Sequence, residues 1–316
     1  MSQLEKPFVV SVIGPTAVGK TKLGIEISKR FNGEVINADS MQFFKGFDIG
    51  SAKVTDEEKD EIQHHLIDHL DPEEDYSAAE FKTDLNKTVT NLNSSQKLPV
   101  VVGGTGFYIH SALFNFQFSD IKRDSEYVEQ ALKEIEIKGI DPFYNRLRQV
   151  DPKQAEKIHP HNIRRVIRAL EVYDLSGKTM SEIEDQQIVT PTYRSFIIGL
   201  NMEREILYRR INKRVDLMVE QGLIEEVREL YETYGPNVQP MQGIGYKEWI
   251  PYFNGVYDQS RAIELIKRNT RRFAKRQLTY YRNKIPNVNW FNINPDNYWP
   301  IFENIFKKVE GKINHL

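Results

Sequence analysis

Near its start the chain runs "FVVSVI", Phe8–Ile13, then Gly14, Pro15, Thr16, Ala17, Val18, Gly19, Lys20 and Thr21, then the helical pattern "KLGIEISKRF". This G-x-x-x-x-G-K-[ST] element, set between a strand and a helix, restricts the fold more than any other feature of the sequence. Its glycines let the backbone wrap closely, so that successive N–H groups point at phosphate oxygens. The helix N-terminus behind it adds a partial positive charge. Lys20 would neutralise terminal phosphate oxygens, and the Thr21 hydroxyl would complete a Mg²⁺ shell. The element predicts a phosphate site without saying whose phosphates.

An ordinary NTPase with such a loop presents a second apolar strand ending in Asp, which holds the metal through water. The best matches are "VINAD", ending at Asp39, and "HLID", ending at Asp68. A further apolar stretch, "LPVVVGGTG", ends in glycines and Thr105, which favours another phosphate contact over a metal carboxylate. Asp39 as a plain helix N-cap is the competing reading.

Short apolar runs at Phe8–Ile13, Glu34–Ala38, Leu66–Asp68, Pro99–Val102 and Ser195–Leu200 alternate with helical patterns, which predicts an α/β fold. The expected architecture is a P-loop-type, mostly parallel sheet flanked by helices. Between about Phe118 and Tyr193 the strands stop and helical patterns, broken by Gly139, Pro142, Pro152 and Pro160, take over. The expected organisation is therefore a core over 1–118, a helical insertion over 119–193, and completion of the core with basic C-terminal helices over 194–316. At 316 residues with 40% hydrophobic and 28% charged content, a sizeable core is expected. No stretch reaches the ~18 apolar residues of a membrane span, and "MSQLEKPF" lacks the features of a secretory signal. Cysteine is absent, which excludes disulfides and cysteine-ligated zinc; the cytoplasm is the expected location.

Taken together, several stretches resemble the tRNA dimethylallyltransferases, also called tRNA isopentenyltransferases, of bacterial type. They are "GPTAVGKT", "INADSMQFFKGFDIGSAK", "HHLID", "YSAAEF", "VVGGTGFYI", "HPHNIRRVIRALEVY", "RINKRVDLMVEQGLIEEV", "GIGYKE" and "RRFAKRQLTYYR", running in family order over nearly the whole chain. The resemblance implies transfer of a dimethylallyl group from its diphosphate to the exocyclic amine of the adenine immediately 3′ of the anticodon. The loop would hold diphosphate as a leaving group, with Mg²⁺ on Thr21, and no nucleoside triphosphate need be consumed. By resemblance Asp39 takes the proton of the amine, while Lys20, Thr21, Thr105 and Arg214 contact the diphosphate. An adenine amine is a poor nucleophile, so a positioned carboxylate suits the chemistry.

The same resemblance places tRNA against Asp39, Ser40, Met41 and Gln42, against Arg164, Arg165, Val166, Ile167 and Arg168, and against Gln242, Gly243, Ile244, Gly245, Tyr246 and Lys247. It adds Lys275, Arg276, Gln277, Leu278, Thr279, Tyr280, Tyr281 and Arg282. Net charge is only −2, but charge is distributed unevenly: Asp56–Asp75 is acidic and Arg261–Lys284 strongly basic. Arg164, Arg165 and Arg168 have the spacing of one helix face, and Arg268, Arg271, Lys275 and Arg282 that of a cationic stripe. His64, His65 and His69 lack the spacing of a zinc helix. The expected partners are tRNA and dimethylallyl diphosphate, with no membrane, and the chain is expected to be a monomer. Two alternatives stay open: an enzyme that prenylates free adenine nucleotides, and a P-loop kinase or NTPase. The basic C-terminal helix argues against the first, and the lack of a clear second metal-binding strand against the second.

Overall fold

The computed structural model describes residues 6–116, 118, 121, 123–186 and 190–314. In chain order the first elements are β1 (Phe8–Ile13), α1 (Lys20–Arg30), β2 (Gly33–Asn37), α2 (Asp56–Lys59), β3 (His64–His65), α3 (Ala78–Ser94), β4 (Leu98–Val102) and α4 (Gly106–Leu113). Five helices follow: α5 (Ser125–Lys138), α6 (Asp141–Val150), α7 (Pro152–Lys157), α8 (Ile163–Ser176) and α9 (Met180–Asp185). The chain then returns through β5 (Arg194–Asn201), α10 (Arg204–Glu220), α11 (Leu223–Tyr234), α12 (Ile250–Phe253), α13 (Gln259–Lys284), β6 (Asn289–Asn292) and α14 (Trp299–Ile313). Two compact units result, one from Met1–Phe114 with Pro191–Leu316, the other from Asn115–Thr190.

The first unit is built on a six-stranded sheet of order β3-β2-β4-β1-β5-β6, every pairing parallel. Every residue of β1 is buried, as expected for a parallel strand covered on both faces. Val10, Val12, Leu23, Ile27, Val100, Ile198 and Leu200 join Phe302, Ile305 and Phe306 of α14 in one core cluster. From β1 the chain crosses over β4 to β2, and from β4 it crosses to β5 on the far side of β1. The crevice at the carboxyl ends of β1 and β4 is thus the point where strand order reverses, where open α/β sheets bind ligands.

Two strands differ from expectation. The third strand occupies His64–His65 rather than Leu66–Asp68, because Leu66 (φ 55°) and Asp68 (φ 52°) adopt left-handed backbone that ends pairing. Edge strand β6, "NWFN", is short and has no fully buried residue, so it carries little apolar signal.

In the second unit, Leu147, Ala155, Ile158, Val166, Ala169 and Leu170 form one cluster, and Ala131, Ile135 and Ile167 another. Polar ties support them. Buried Asp151 caps α7 through the Gln154 N–H and accepts from both the N–H and the hydroxyl of Ser181. α8 starts on an Asn162 cap and stops at Gly177 in the left-handed conformation.

Candidate active site

Three loops of the first unit converge at the carboxyl ends of β1, β2 and β4. The loop after β1 turns through positive φ at Gly14 (151°), Ala17 (64°) and Gly19 (103°), curling its backbone around a concavity. At Gly14 a side chain is excluded, since a Cβ there would lie 2.6 Å from the Leu200 carbonyl oxygen. α1 begins at Lys20, so its unpaired N–H groups open toward the same concavity. The Lys20 ammonium donates to the Pro15 carbonyl at 2.9 Å, and exposed Thr21 lines the cavity. From α10, Arg210 Nε donates to the Ala17 carbonyl at 3.0 Å. Arg214, one turn later, faces the cavity with no hydrogen-bond or ion-pair partner among the described residues. Burial lowers its pKa, and neighbouring Arg210 adds to the effect.

Asp39 stands just past β2. Its Oδ1 accepts the Met41 N–H at 3.2 Å, but the chain continues as turns and not as a helix, so Asp39 is no helix cap. Its Oδ2 has no hydrogen-bond partner among the described residues. A Cβ on Gly104 would lie 3.1 Å from that Oδ2 and 3.8 Å from Lys20 Nζ, so a glycine there lets the carboxylate and the ammonium approach the loop after β4. Burial pushes the Asp39 carboxyl above the usual carboxylate range, with Lys20 and the Met41 N–H partly opposing it. Burial likewise lowers Lys20 to about 8, Asp39 opposing and Arg214 reinforcing. Lys20 keeps partial solvent access through the cavity mouth while protein surrounds it elsewhere. Thr105 ties the loops together: its hydroxyl accepts from the Ser40 N–H at 3.0 Å and donates to Ser40 Oγ at 3.1 Å.

These groups line two adjoining cavities. One, of about 230 Å³, is polar and is bounded by Thr16, Lys20, Thr21, Asp39, Arg210 and Arg214. The other, of about 310 Å³, shares Asp39 and Arg214 with it but is walled by Met41, Ile211, Val215, Met218, Ile244, Ile266 and Phe273. Thr105 opens into this second cavity. The arrangement can hold an anion at one end and an apolar group at the other, with a carboxylate oxygen between them.

Other expected residues are distributed differently. Asp68 pairs with Lys53, which removes it as a metal carboxylate. His64 is buried with Nδ1 against the Ile62 carbonyl, His65 pairs with Glu34, and His69 packs edge-on against Phe43 and Tyr76. Of the residues expected to face RNA, Val166, Ile167, Gln277, Tyr246 and Tyr281 are buried and their side chains serve packing or internal hydrogen bonds. Arg168 is committed within its own unit, to buried Glu171 at 2.8 Å and to the Ile121 carbonyl at 2.7 Å. The cationic stripe also divides, because Arg271 donates to Asn212 of α10 at 2.6 Å and Arg268 is half-buried. Arg164, Arg165, Lys247, Lys275, Arg276, Thr279 and Arg282 are exposed. Gln242, Gly243, Ile244 and Gly245 line the apolar cavity with Met41 and Arg276, and Gln42 donates to the Ser51 and Ala52 carbonyls. Tyr280 is half-buried with its hydroxyl 3.1 Å from His110 Nδ1, and Leu278 lines a separate cavity with Lys275 and Arg282.

Sequence reading missed Glu226. Its carboxylate accepts the N–H groups of Asp48, Ile49 and Gly50 at 3.3, 2.7 and 3.0 Å, and the Tyr246 hydroxyl at 2.8 Å. It thereby holds the segment carrying Gly50, Ser51 and Ala52, which walls the cavities. A glutamate on the amphipathic helix "LIEEVRELYETY" has no local sign of that task.

The geometry is matched by kinship. A sequence profile described as IPP transferase covers residues 42–284. A tRNA dimethylallyltransferase of Oceanobacillus iheyensis is 49% identical over 98% of this chain and 97% of its own. The chain belongs to the IPP transferase family. Another family member, the tRNA dimethylallyltransferase of Geobacillus kaustophilus, is 48% identical over 96% of this chain and 97% of its own. Among solved structures, the tRNA isopentenylpyrophosphate transferase of Bacillus halodurans superposes with TM-score 0.73 at 43% identity, covering 98% of both chains. A eukaryotic dimethylallyltransferase acting on tRNA gives TM-score 0.79 at 33% identity, over 93% of this chain and 75% of its own.

Proposed function

We propose that the protein transfers a dimethylallyl group from dimethylallyl diphosphate to the exocyclic N6 amine of the adenine immediately 3′ of the anticodon in tRNA, releasing diphosphate. The single observation that carries this reading is the Asp39 oxygen without a partner, set between an anion cradle and an apolar cavity in an IPP transferase chain. The loop N–H groups, Lys20 and Arg214 bind the diphosphate, and the apolar walls receive the dimethylallyl chain. The amine nitrogen attacks the allylic carbon; the carbon–oxygen bond breaks with its electron pair going to the diphosphate. The amine proton passes to Asp39 Oδ2, a stronger base than a solvated aspartate because it is buried. Charge that builds on the leaving oxygens is met by fixed donors inside a concavity, where such stabilisation is large.

Mg²⁺ fits the donor set in one way. No cluster of three or more His, Asp or Glu side chains lies there among the described residues. An ion would be held by the Thr21 hydroxyl together with water and substrate oxygens, the habit of Mg²⁺ at phosphate loops. It would supply charge neutralisation of the diphosphate. For RNA, exposed Arg165, Lys247, Lys275, Arg276 and Arg282 offer phosphate contacts.

Incubation with dimethylallyl diphosphate and bulk tRNA, followed by nucleoside mass analysis, tests the reading. Dimethylallyl-adenosine in the digest is expected. Product on free adenine nucleotides alone, or ATP turnover without any tRNA product, would overturn it.

A further inference from the structure

Gln277 lies on the inward face of α13, only 4% exposed, and both ends of its amide are used. Oε1 accepts the Thr16 N–H at 2.9 Å, and Nε2 donates to the Gly104 carbonyl at 2.8 Å. One turn on, the Tyr281 hydroxyl donates to that same carbonyl at 2.9 Å. Thr16 belongs to the loop after β1 and Gly104 to the loop after β4. A Cβ on Gly104 would lie 2.7 Å from Gln277 Nε2 and 3.1 Å from Asp39 Oδ2, so amide and carboxylate crowd one point.

We propose that Gln277 is a positioning residue for the transfer. Its amide fixes the anion cradle relative to the loop on which Asp39 bears, and it makes no contact with RNA. The proposal rests on the transferase reading above. A primary amide has a donor and an acceptor in one rigid plane, so it can bridge an N–H and a carbonyl at once. A carboxylate in its place keeps the acceptor for Thr16, loses the donor for Gly104, and sets a second negative charge beside Asp39. The alignment matters because a displacement of ~1 Å between reacting partners costs on the order of 10²-fold in rate.

The test compares Gln277→Glu and Gln277→Met, which retain bulk, with Tyr281→Phe, which removes one donor and nothing else. Single-turnover transfer is measured at saturating dimethylallyl diphosphate and tRNA, tRNA affinity by direct binding, folding by circular dichroism. Both Gln277 variants are expected to lose roughly 10–100-fold in the saturated rate, with tRNA affinity unchanged and a smaller loss for Tyr281→Phe. In Gln277→Glu the acid limb of the pH–rate profile should also move to higher pH, since a like charge makes Asp39 harder to ionise. Gln277→Met should leave that limb in place. Weakened tRNA binding with a normal saturated rate would reassign Gln277 to RNA contact. A rate loss that only follows the loss of folded protein would reduce it to a structural role. Wild-type rates in both variants sink this proposal alone, whereas no tRNA product from the wild-type protein sinks the transferase reading with it.

Discussion

The loops after β1 and β2 border the same cavity but are shaped by different means. The first is made by its own backbone: Gly14, Ala17 and Gly19 supply the turns, and α1 supplies the free N–H groups. The second, from Asp39 to Lys53, is held by side chains. Gln42 grips the Ser51 and Ala52 carbonyls, and Lys53 bonds to Asp48 and the Phe44 carbonyl. Glu226, 176 residues beyond Gly50, binds three successive N–H groups. Distant residues reach both loops, but in different ways. Gln277 and Arg210 each tie one point of a first loop whose turns are its own, whereas Glu226 binds three successive N–H groups of the second and so sets its course.

Four experiments would break or sharpen this contrast. The largest effect is expected inside the second loop at its single chemical group: Asp39→Ala should cost about 10²–10⁴ in single-turnover rate while tRNA still binds. A near-normal rate at saturating substrates would remove Asp39 from the proton transfer.

The first loop should show itself through pH. Lys20 is cationic below about 8 and neutral above it. Diphosphate capture, read as kcat/KM for dimethylallyl diphosphate, should therefore fall as pH rises through that value. At the acid end the rate should fall where Asp39 takes up a proton, at a higher pH than for a free aspartate because its pKa is raised. A profile flat from neutral pH into the alkaline range would contradict the role given to Lys20.

Glu226→Ala tests remote control of the second loop. It leaves several N–H groups and the buried Tyr246 hydroxyl without their acceptor, at a cost of about 1–3 kcal/mol in stability. Denaturant unfolding measures that cost. Activity should fall with it, through the cavity wall, while inorganic diphosphate binding in the first loop persists. Equal loss of diphosphate affinity would show that the two loops are not independent.

The smallest effect concerns exposed charge. If Lys275 and Arg282 neutralise tRNA phosphates, replacing both with Ala should flatten the log–log salt dependence of binding by about 0.7–0.9 per contact. An unchanged slope would mean that these two side chains merely face solvent.

The same contrast explains what could be read in advance. The phosphate loop, four of the strands and the place of Asp39 at the end of β2 were legible because each depends on short-range patterns: an apolar run, a glycine spacing, an acidic residue closing a strand. The third strand was displaced toward Leu66 because apolar content does not report left-handed backbone. Edge strand β6 was invisible, since an edge strand half open to solvent needs little apolar sequence. Arg168, Arg271 and Gln277 carry polar side chains at regular helical spacing, and spacing alone does not tell a solvated face from one committed to a neighbour. That distinction lies in Glu171, Asn212 and Gly104, partners set by tertiary packing. Glu226 is the extreme case, one acidic residue among several on its helix.

The bond between Thr16 and Gln277 spans 261 positions. During synthesis at ~5–20 residues per second, the phosphate loop would wait on the order of ten to fifty seconds for the side chain that completes its setting. The sheet has a shorter delay of the same kind, since β1 pairs with β5 and cannot be flanked on both sides until that strand has been made. A nascent or prematurely released chain thus carries an intact phosphate-loop sequence without a finished site. A chain ended before Arg194 would leave one edge of β1 unpaired, and one ended between β5 and Gln277 would have β1 flanked but the Thr16 N–H without its acceptor.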